Sequence, residues 1–396
     1  MKLKHWLAPL LAILLLGAET SVFAAEAEPA WQAKIGAINS YAWFDVHDAG
    51  AAKIVYVRTT TTTPVSPSRM AFYEALKAYD KDTGEVRWSF TFRSPKGNSS
   101  PQKPAEMVYA PNGTVYAMLN YESGEKKLYS IQASGKINWI VDVPITGRVY
   151  RLDNGSVLAV SDAEQDQKHF NMTKIFAYSP AGKLLYKQQI RGEVLWAGRD
   201  RIVVNATNPQ KEGELRIADI EVYDTSMKRQ YIYRYPANGG LVIEEKKLLL
   251  MDNGILLLRA EGTNQADELS ALDPKGKLLW KRSIPQNSAV QNAGNYYGVL
   301  DGRKLESYSI DNKLAASTVL EGTNLPINDM EVTPEGKLWI PYQESSYVLE
   351  PSTLKVLYQL PSFAKNGYFF SYAGNGVVFS ADWQKLSKFI FESTSK

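Results

Sequence analysis

Apolar and polar residues alternate on both sides of a glycine turn in the stretch LKAYDKDTGEVRW, residues 76–88. Because side chains in a strand point alternately to two faces, this alternation predicts a strand before the turn and another after it. Gly84 takes a turn position at which a side chain would strain the backbone. The second strand carries an aromatic residue, Trp88, four positions after that glycine. The pattern predicts an antiparallel hairpin.

The same pattern recurs along the chain. Its clear copies pair a glycine with an aromatic residue four positions later: Gly135 with Trp139, Gly182 with Tyr186, and Gly276 with Trp280. Weaker copies end at Tyr231, near Ala316 and at Tyr358, and Trp31 lies on a predicted strand that has no partner before it. The intervals between these positions average about 47 residues. A fixed period of this length indicates a repeat architecture.

A second set of turns alternates with the first. Tight-turn sequences such as Asn-Gly precede short apolar strands at Gly113, Gly155, Gly254, Gly336 and Gly376, among others. Asn-Gly between apolar runs is a strong hairpin signal, because both central residues of a type I′ turn need positive φ. One period therefore contains two hairpins, which is the four-stranded antiparallel blade of a β-propeller.

The repeat count predicts an all-β, eight-bladed β-propeller, with seven blades as the alternative if the weak unit around Asn312 is not a blade. The last unit, after Gly376, has no closing aromatic strand of its own. The strand at Trp31 can complete it, so we expect the N-terminal strand to close the ring. That pairing removes an open sheet edge between the two ends of the chain.

The stretch from Ala78 to Trp88 resembles the tryptophan-docking motif of the quinoprotein, or pyrroloquinoline quinone (PQQ)-like, β-propellers. Their consensus A-x-D-x-x-T-G-x-x-x-W is matched by Ala78, Asp80, Thr83, Gly84 and Trp88. The other repeats match it only in part. The resemblance implies that the aromatic residue stacks between adjacent blades, a role expected for Trp88, Trp139 and Trp280 and also for Trp31, Tyr186, Tyr231 and Tyr358.

The first 25 residues have the features of a secretory signal peptide. Lys2 and Lys4 precede an apolar run over 7–16, and small residues follow up to a cleavage point after Ala24 or Ala25. An apolar run of that length is well short of the roughly 20 residues that span a bilayer. We therefore expect an exported protein whose residues 26–396 form a single propeller domain.

Composition narrows the possible partners. The chain has no cysteine, so it carries no disulfide and no site for a lipoprotein anchor, and we expect a soluble extracellular, cell-wall-associated or periplasmic protein. The net charge of +3 becomes +2 without the signal peptide, and the charges are spread along the chain. This distribution argues against a nucleic acid or an anionic membrane as the main partner.

Candidate catalytic chemistry is sparse in the sequence. PQQ enzymes of the family hold a calcium or lanthanide ion, a catalytic aspartate and usually a vicinal disulfide, which this chain cannot form. His47 and His169 are the two histidines after the signal peptide, and neither lies in a zinc-protease motif. We expect no cofactor, no metal and no catalytic residue. PQQ with calcium remains the alternative, as does a carboxylate-based polysaccharide hydrolase or lyase.

The longer connections between the second and third strands of each unit are polar and should emerge on one face of the disc. Binding residues concentrate on long loops held by a rigid scaffold. Tyr121, His169 and Tyr342 are the candidate binding residues there, and a glycan-binding lectin would need such tyrosines exposed. The leading hypothesis is a monomeric, non-catalytic scaffold that binds a protein or a cell-envelope component through this face.

Overall fold

The computed structural model describes residues 28–35, 42–66, 69–94, 100–165, 171–207, 218–234, 248–260, 266–321, 330–342, 345–361, 369–382 and 384–394. Strands make up the regular structure of these residues, with a single 3-10 turn at Gly50–Ala52. The predicted signal peptide, residues 1–25, lies outside the described ranges.

The strands form eight antiparallel sheets, or blades. Blade 1 contains β2 (Ala42–Ala49), β3 (Ile54–Ser66), β4 (Arg69–Asp80) and β5 (Val86–Phe92). Blade 2 contains β6 (Glu106–Tyr109), β7 (Val115–Asn120), β8 (Lys126–Ile131) and β9 (Ile137–Asp142). Blade 3 contains β10 (Gly147–Arg151), β11 (Val157–Ser161), the two-residue β12 (Glu164–Gln165), β13 (Asn171–Tyr178) and β14 (Leu184–Arg191). Blade 4 contains β15 (Glu193–Gly198), β16 (Arg201–Thr207), β17 (Ala218–Asp224) and β18 (Arg229–Arg234).

The second half of the chain repeats this order. Blade 5 contains β19 (Leu248–Leu250), β20 (Leu256–Ala260), β21 (Ala266–Leu272) and β22 (Leu278–Pro285). Blade 6 contains β23 (Ala289–Ala293), β24 (Tyr296–Asp301), β25 (Lys304–Ser309) and β26 (Leu314–Val319). Blade 7 contains β27 (Glu331–Val332), β28 (Leu338–Pro341), β29 (Ser345–Leu349) and β30 (Val356–Pro361). Blade 8 contains β31 (Phe369–Gly374), β32 (Val377–Ala381), β33 (Lys385–Ile390) and, from the other end of the chain, β1 (Trp31–Lys34).

The N-terminal strand closes the ring, as predicted. β1 pairs antiparallel with β33, with Trp31 opposite Lys388 and Lys34 opposite Lys385. The weak unit around Asn312 is a complete four-stranded blade, blade 6, in which Asn312 itself takes the positive φ of 64° that glycine takes in other turns. Eight blades are therefore confirmed, and the seven-bladed alternative is wrong.

A register irregularity between the third and fourth strands shows that the blades are equivalent. It falls within the last three residues of the third strand, and it recurs in seven blades at Ala78/Tyr79, Ser130/Ile131, Ala177/Tyr178, Val222/Tyr223, Ala271/Leu272, Ser307/Tyr308 and Val348/Leu349. Such bulges bend and twist a strand. Since the irregularity lies at the same place each time, it allows residues of different blades to be compared position by position.

The core is divided among the spaces between blades. Eight apolar clusters fill these spaces, and each combines side chains of two neighbouring blades. On β3, Tyr56 packs into the cluster shared with blade 2, whereas Val55 and Val57 pack into the cluster shared with blade 8. Both faces of this inner strand are thus buried, and first strands of neighbouring blades contact one another, as β6 contacts β10 and β2 contacts β31.

Candidate functional site

The connections divide the propeller into two faces. The turns that join first to second and third to fourth strands lie on one side, which we call the turn face. The connections from second to third strands and from blade to blade lie on the other side, which we call the loop face. One loop-face connection joins β11 to β13, and its residues Glu164 and Gln165 pair with Met172 and Asn171.

On the turn face, four docking aromatics pack on the turn glycine of the following blade, whereas Tyr186 and Trp280 contact turns that carry Met227 and Asn312 instead. A Cβ atom built on Gly135 would lie 2.6 Å from Cγ of Trp88, so only glycine permits this approach. The rings of Trp31, Trp139 and Tyr231 lie in the same way against Gly84, Gly182 and Gly276. Shape complementarity at these positions holds neighbouring blades together.

The polar atoms of these rings bond across the same junctions. The indole N–H of Trp88 donates to the carbonyl of Ala133 at 2.8 Å. The corresponding distances are 3.3 Å from Trp31 to Lys81, 2.8 Å from Trp139 to Pro180, 2.9 Å from the Tyr186 hydroxyl to Thr225, and 2.8 Å from Trp280 to Ile310. A buried indole or phenol needs such a partner, and here the neighbouring turn supplies it.

Asp80 and Asp82 are occupied within the first of these turns. Asp80 Oδ1 accepts hydrogen bonds from the amides of Asp82 and Thr83, both at 2.9 Å, and Oδ2 lies 2.6 Å from Arg87 Nη2. The hydrogen bond from Arg87, with those from the two amides, lowers the pKa of Asp80 well below its ordinary value. Asp82 pairs with Lys53 at 3.5 Å. These contacts hold the turn between β4 and β5 in shape.

The predicted exposure of Tyr121 and Tyr342 on the loop face is wrong. Tyr121 is fully buried, and its hydroxyl lies 2.6 Å from that of Tyr129. Tyr342 is 2% exposed and donates to the carbonyl of Gly302 at 2.9 Å. Burial raises the pKa of Tyr121 well above its usual range and that of Tyr342 to about 12. Both rings turn inward because the clusters between blades bury more apolar area than a solvent-facing loop would. His169 lies outside the described residues.

Two polar cavities lie between blades 3 and 4, and we call them together the 3/4 cleft. Its inner part has a volume of about 280 Å³ and lies beside the first strands of the two blades. Its outer part has a volume of about 350 Å³ and lies between β14 and blade 4. The polar side chains that line it are Arg148, Ser161, Asp162, Asn171 and Glu193 in the inner part, and Gln188, Gln189, Arg191, Asp219, Glu221, Tyr223 and Arg229 in the outer part. Sequence reasoning did not identify these residues as a group.

In blades 1 and 5, an arginine–carboxylate ion pair fills the equivalent junction. In blade 5, Arg259 on β20 lies 2.6 Å from Asp267 on β21 and donates to the carbonyl of Ser288, just before β23. In blade 1, Arg58 lies 3.1 Å from Glu74 and donates to the carbonyl of Ala105 at 2.7 Å, just before β6. Each arginine therefore ties its blade to the next one on the loop face.

Short side chains occupy the same two positions in blade 3. Counted from the register irregularity, Val160 stands where Arg58 and Arg259 stand, and Thr173 stands where Glu74 and Asp267 stand. Thr173 is fully buried and donates to the carbonyl of Gly192 at 2.7 Å, just before β15. The hydroxyl of Thr173 keeps the link between blades 3 and 4, but no side chain fills the space that an arginine occupies in blades 1 and 5. Val160 lines the inner part of the cleft, so this substitution contributes to its opening.

The inner wall of the cleft is held rigidly by Gly192. Its amide donates to the carbonyl of Asn171 at 2.7 Å, and its φ is 110°, a conformation that L side chains rarely adopt. A Cβ atom there would lie 2.5 Å from the carbonyl oxygen of Asn205. Glu193, the next residue, is thereby fixed at the cleft wall.

Charges of both signs alternate along the outer part. Arg229 Nη1 lies 3.2 Å from Glu221 Oε1, and Arg234 Nε lies 3.2 Å from Asp219 Oδ1. The hydroxyl of Tyr223 donates to Glu221, and burial, helped by that carboxylate, raises the pKa of Tyr223 to about 12. The cleft can therefore offer hydrogen-bond donors, acceptors and both charges to a ligand.

The residues described do not supply the acidic part of a PQQ–calcium site. Within the ranges given above, no three side chains of His, Cys, Asp or Glu lie close enough together to hold a metal ion. The vicinal cysteine pair cannot form, because the sequence contains no cysteine. We therefore derive no reaction step through that cofactor.

None of the helical structure in the described part of the chain is long and apolar enough to cross a membrane.

Comparison with known proteins bears on the fold. No family model and no curated protein matches the chain. A solved structure of a eukaryotic initiation factor matches over 87% of this chain and 81% of its own, at 12% identity and a TM-score of 0.52. The β-propeller domain of the Trilobed protease from Pyrococcus furiosus matches over 89% and 97%, at 13% identity and a TM-score of 0.46. A quinohemoprotein alcohol dehydrogenase of Pseudomonas putida HK5 matches over 93% and 77%, at 13% identity and a TM-score of 0.48. The eight sheets and the closure of the ring by β1 show that the chain is a β-propeller.

Proposed function

We propose that this protein is an exported, non-catalytic member of the PQQ-like propellers that binds a protein partner through its loop face. The 3/4 cleft carries this proposal. It lies where the fold elsewhere places a buried arginine, and it presents charged and amide side chains on a rigid wall.

The chemistry of the cleft favours a polypeptide segment as its ligand. A peptide offers amide donors and acceptors at regular intervals together with side chains of either charge, and the cleft walls carry the complementary groups. A nucleic acid would require a surplus of cations, whereas acidic and basic residues alternate here. A glycan of the cell envelope would be favoured by exposed aromatic rings, and Tyr121 and Tyr342 are buried.

Transplanting the blade 5 ion pair into blade 3 tests the proposal. The double variant Val160→Arg/Thr173→Asp should fill the inner cleft and keep the link to Gly192. Tagged mature protein is incubated with native envelope extract, and retained proteins are quantified by mass spectrometry. We expect the wild type to retain a specific protein, and the variant to retain at least about tenfold less of it.

The reciprocal variant Arg259→Val/Asp267→Thr is the matched control, because it opens the blade 5 junction and leaves the 3/4 cleft intact. It should retain the partner as the wild type does. If the wild type and both variants retained equal amounts of the partner, the cleft would not be its binding site. Dye reduction after addition of PQQ and calcium, or turnover of a substrate in a glycan panel, would show that the protein is an enzyme and not a binding scaffold.

Export predicts a mature N-terminus at Ala25 or Glu26, which intact-mass measurement checks.

A further inference from the structure

A lysine occupies the same turn position in six consecutive blades. Each of these lysines follows a residue with positive φ in the turn between the third and fourth strands, and its carbonyl accepts the amide at the end of the third strand at 2.8–3.0 Å. The positions are Lys136, Lys183, Lys228, Lys277, Lys313 and Lys355. Since the backbone geometry is the same each time, the six residues are structurally equivalent, although the sequence shows them as isolated charges far apart.

These six lysines, which we call the lysine rim, lie at the outer edge of the turn face. Because the blades of a propeller repeat around one axis, equivalent positions lie at the same height along that axis and form a plane. All six residues are exposed, and none forms an ion pair with another residue of the described ranges. The lysine rim therefore presents its charges to solvent on one side of the disc.

The turns that carry the lysine rim have a surplus of positive charge. Blade 1 has Glu85 at the equivalent position, so the rim is limited to blades 2–7. The other charged residues of the six turns are Lys275, Asp224, Asp273, Asp311 and Glu350. Asp224 and Asp273 accept the amides of Lys228 at 3.0 Å and of Lys277 at 2.9 Å, so both carboxylates are directed into their own turns. Seven lysines against four acidic residues leave a net charge of about +3 on these turns.

Exposed aliphatic side chains accompany the lysines. Four of the six lysines are followed directly by one, and these four are Ile137 at 44%, Leu184 at 47%, Leu278 at 37% and Leu314 at 56% exposure. Leu185 and Leu279 are exposed beside two of them. A side chain of this kind can enter the interface of a bilayer while the neighbouring lysine keeps its ammonium group at the level of the lipid phosphates. The pairing of lysine with an aliphatic residue therefore fits a lipid surface better than it fits a soluble polyanion.

We propose that the lysine rim docks the turn face onto a bilayer that contains anionic lipid. Charges arranged in a plane can meet a flat anionic surface together, and each basic residue near such a surface adds to the attraction. The protein would rest on the bilayer without crossing it, and its loop face would point away from the lipid. The argument against an anionic membrane rested on charges spread along the sequence, whereas the fold gathers these lysines on one rim. The inference is independent of the proposed function.

Co-sedimentation of the full mature chain with lipid vesicles tests this inference. The wild type should bind vesicles of phosphatidylcholine mixed with phosphatidylglycerol, and should not bind vesicles of phosphatidylcholine alone. Added salt should weaken the binding, because it screens charges at an exposed surface. The variant Lys183→Glu/Lys277→Glu should lower the partition onto the anionic vesicles at least about tenfold. Leu184→Ser/Leu185→Ser should lower it by a smaller factor, about threefold, because it removes apolar contacts and no charge.

A variant on the opposite face is the matched control. Lys103 lies in the connection between blades 1 and 2, and Lys385 begins β33, so both exposed residues belong to the loop face. Lys103→Glu/Lys385→Glu changes the net charge by the same amount as Lys183→Glu/Lys277→Glu does. It should bind the anionic vesicles as the wild type does, because it leaves the lysine rim unchanged.

Four results would overturn the inference. The first is a wild type that ignores anionic vesicles or binds neutral ones equally well. The second is a rim variant that binds like the wild type, and the third is a loop-face control that loses as much binding as the rim variant. The fourth is binding of single-stranded DNA through the same lysines without any binding of vesicles. The double variant Val160→Arg/Thr173→Asp leaves the lysine rim untouched, so the two proposals can fail separately.

Discussion

The junction between blades 1 and 2 and the junction between blades 3 and 4 are built on the same plan but differ on the loop face. Both are linked on the turn face by an aromatic side chain that bonds to the next turn, Trp88 in one and Tyr186 in the other. On the loop face, Arg58 fills the first junction, whereas Val160 leaves the second one open.

The difference shows that the two faces of this propeller link the blades in different ways. Turn-face contacts recur around the ring and hold the blades together. At the loop face the same link can be made by a long ion pair or by a single hydroxyl. Where the hydroxyl of Thr173 makes it, space becomes available for a ligand without loss of the connection between blades.

Breaking the filled junction should have the largest effect. Arg58→Ala removes the cation beside the fully buried carboxylate of Glu74, to which the hydroxyl of Thr60 still donates at 2.5 Å. An uncompensated buried charge of this kind costs about 3–5 kcal/mol of unfolding free energy. Urea unfolding measures the loss. Arg58→Met combined with Glu74→Leu removes both charges and should recover most of it. Equal losses in the single and double variants would show that lost packing, and not the unpaired carboxylate, destabilises the single variant.

Breaking the open junction should have a smaller effect. Thr173→Val keeps the side-chain volume and removes the hydrogen bond to Gly192, which costs about 1 kcal/mol. Thr173→Ser keeps the hydroxyl and serves as the control in the same urea experiment. If Thr173→Val destabilised the protein as much as Arg58→Ala does, the two junctions would be equally dependent on their loop-face link.

We expect the smallest effect on stability from pH, acting at the turn between the third and fourth strands of blade 1 and not at that of blade 3. In blade 1, the lowered pKa of Asp80 means that its stabilising contribution is present above the unfolded-state pKa of about 4 and is lost as pH falls through the lower folded value. Arg87→Ala should raise the pKa of Asp80, as measured by carbon-13 NMR of the carboxyl group. Asp273, at the corresponding turn of blade 5, should titrate unchanged in that variant. The turn of blade 3 has Ser179 at this position and does not titrate.

The repeat was predictable because it rests on local signals. Turn glycines and aromatic residues recur in the sequence, and the number of blades and the closing strand at Trp31 follow from their order. Blade 6 was the weakest prediction, since it replaces the turn glycine with Asn312 and the docking aromatic with Ala316. Asn312 can still adopt positive φ, so the hairpin forms without the sequence signature.

The candidate site was not predictable in the same way. Tyr121 and Tyr342 were placed on the loop face because they flank polar loops, but the direction of a ring at a strand end depends on the neighbouring blade. The 3/4 cleft depends on Val160 and Thr173, which look like ordinary strand residues. Their role in opening the cleft is recognised only when the strand register aligns them with the ion pairs of blades 1 and 5.

Closure by β1 has a consequence for how the protein is made. Blade 8 needs Trp31 and Lys388, which are separated by nearly the whole chain. Joining segments that far apart costs about 5 kcal/mol of chain entropy beyond a constant term. Blade 8 therefore cannot be completed until β33 has been synthesised, and β1 waits without its partner strand until then. The ring remains open while the seven blades between these two strands are made.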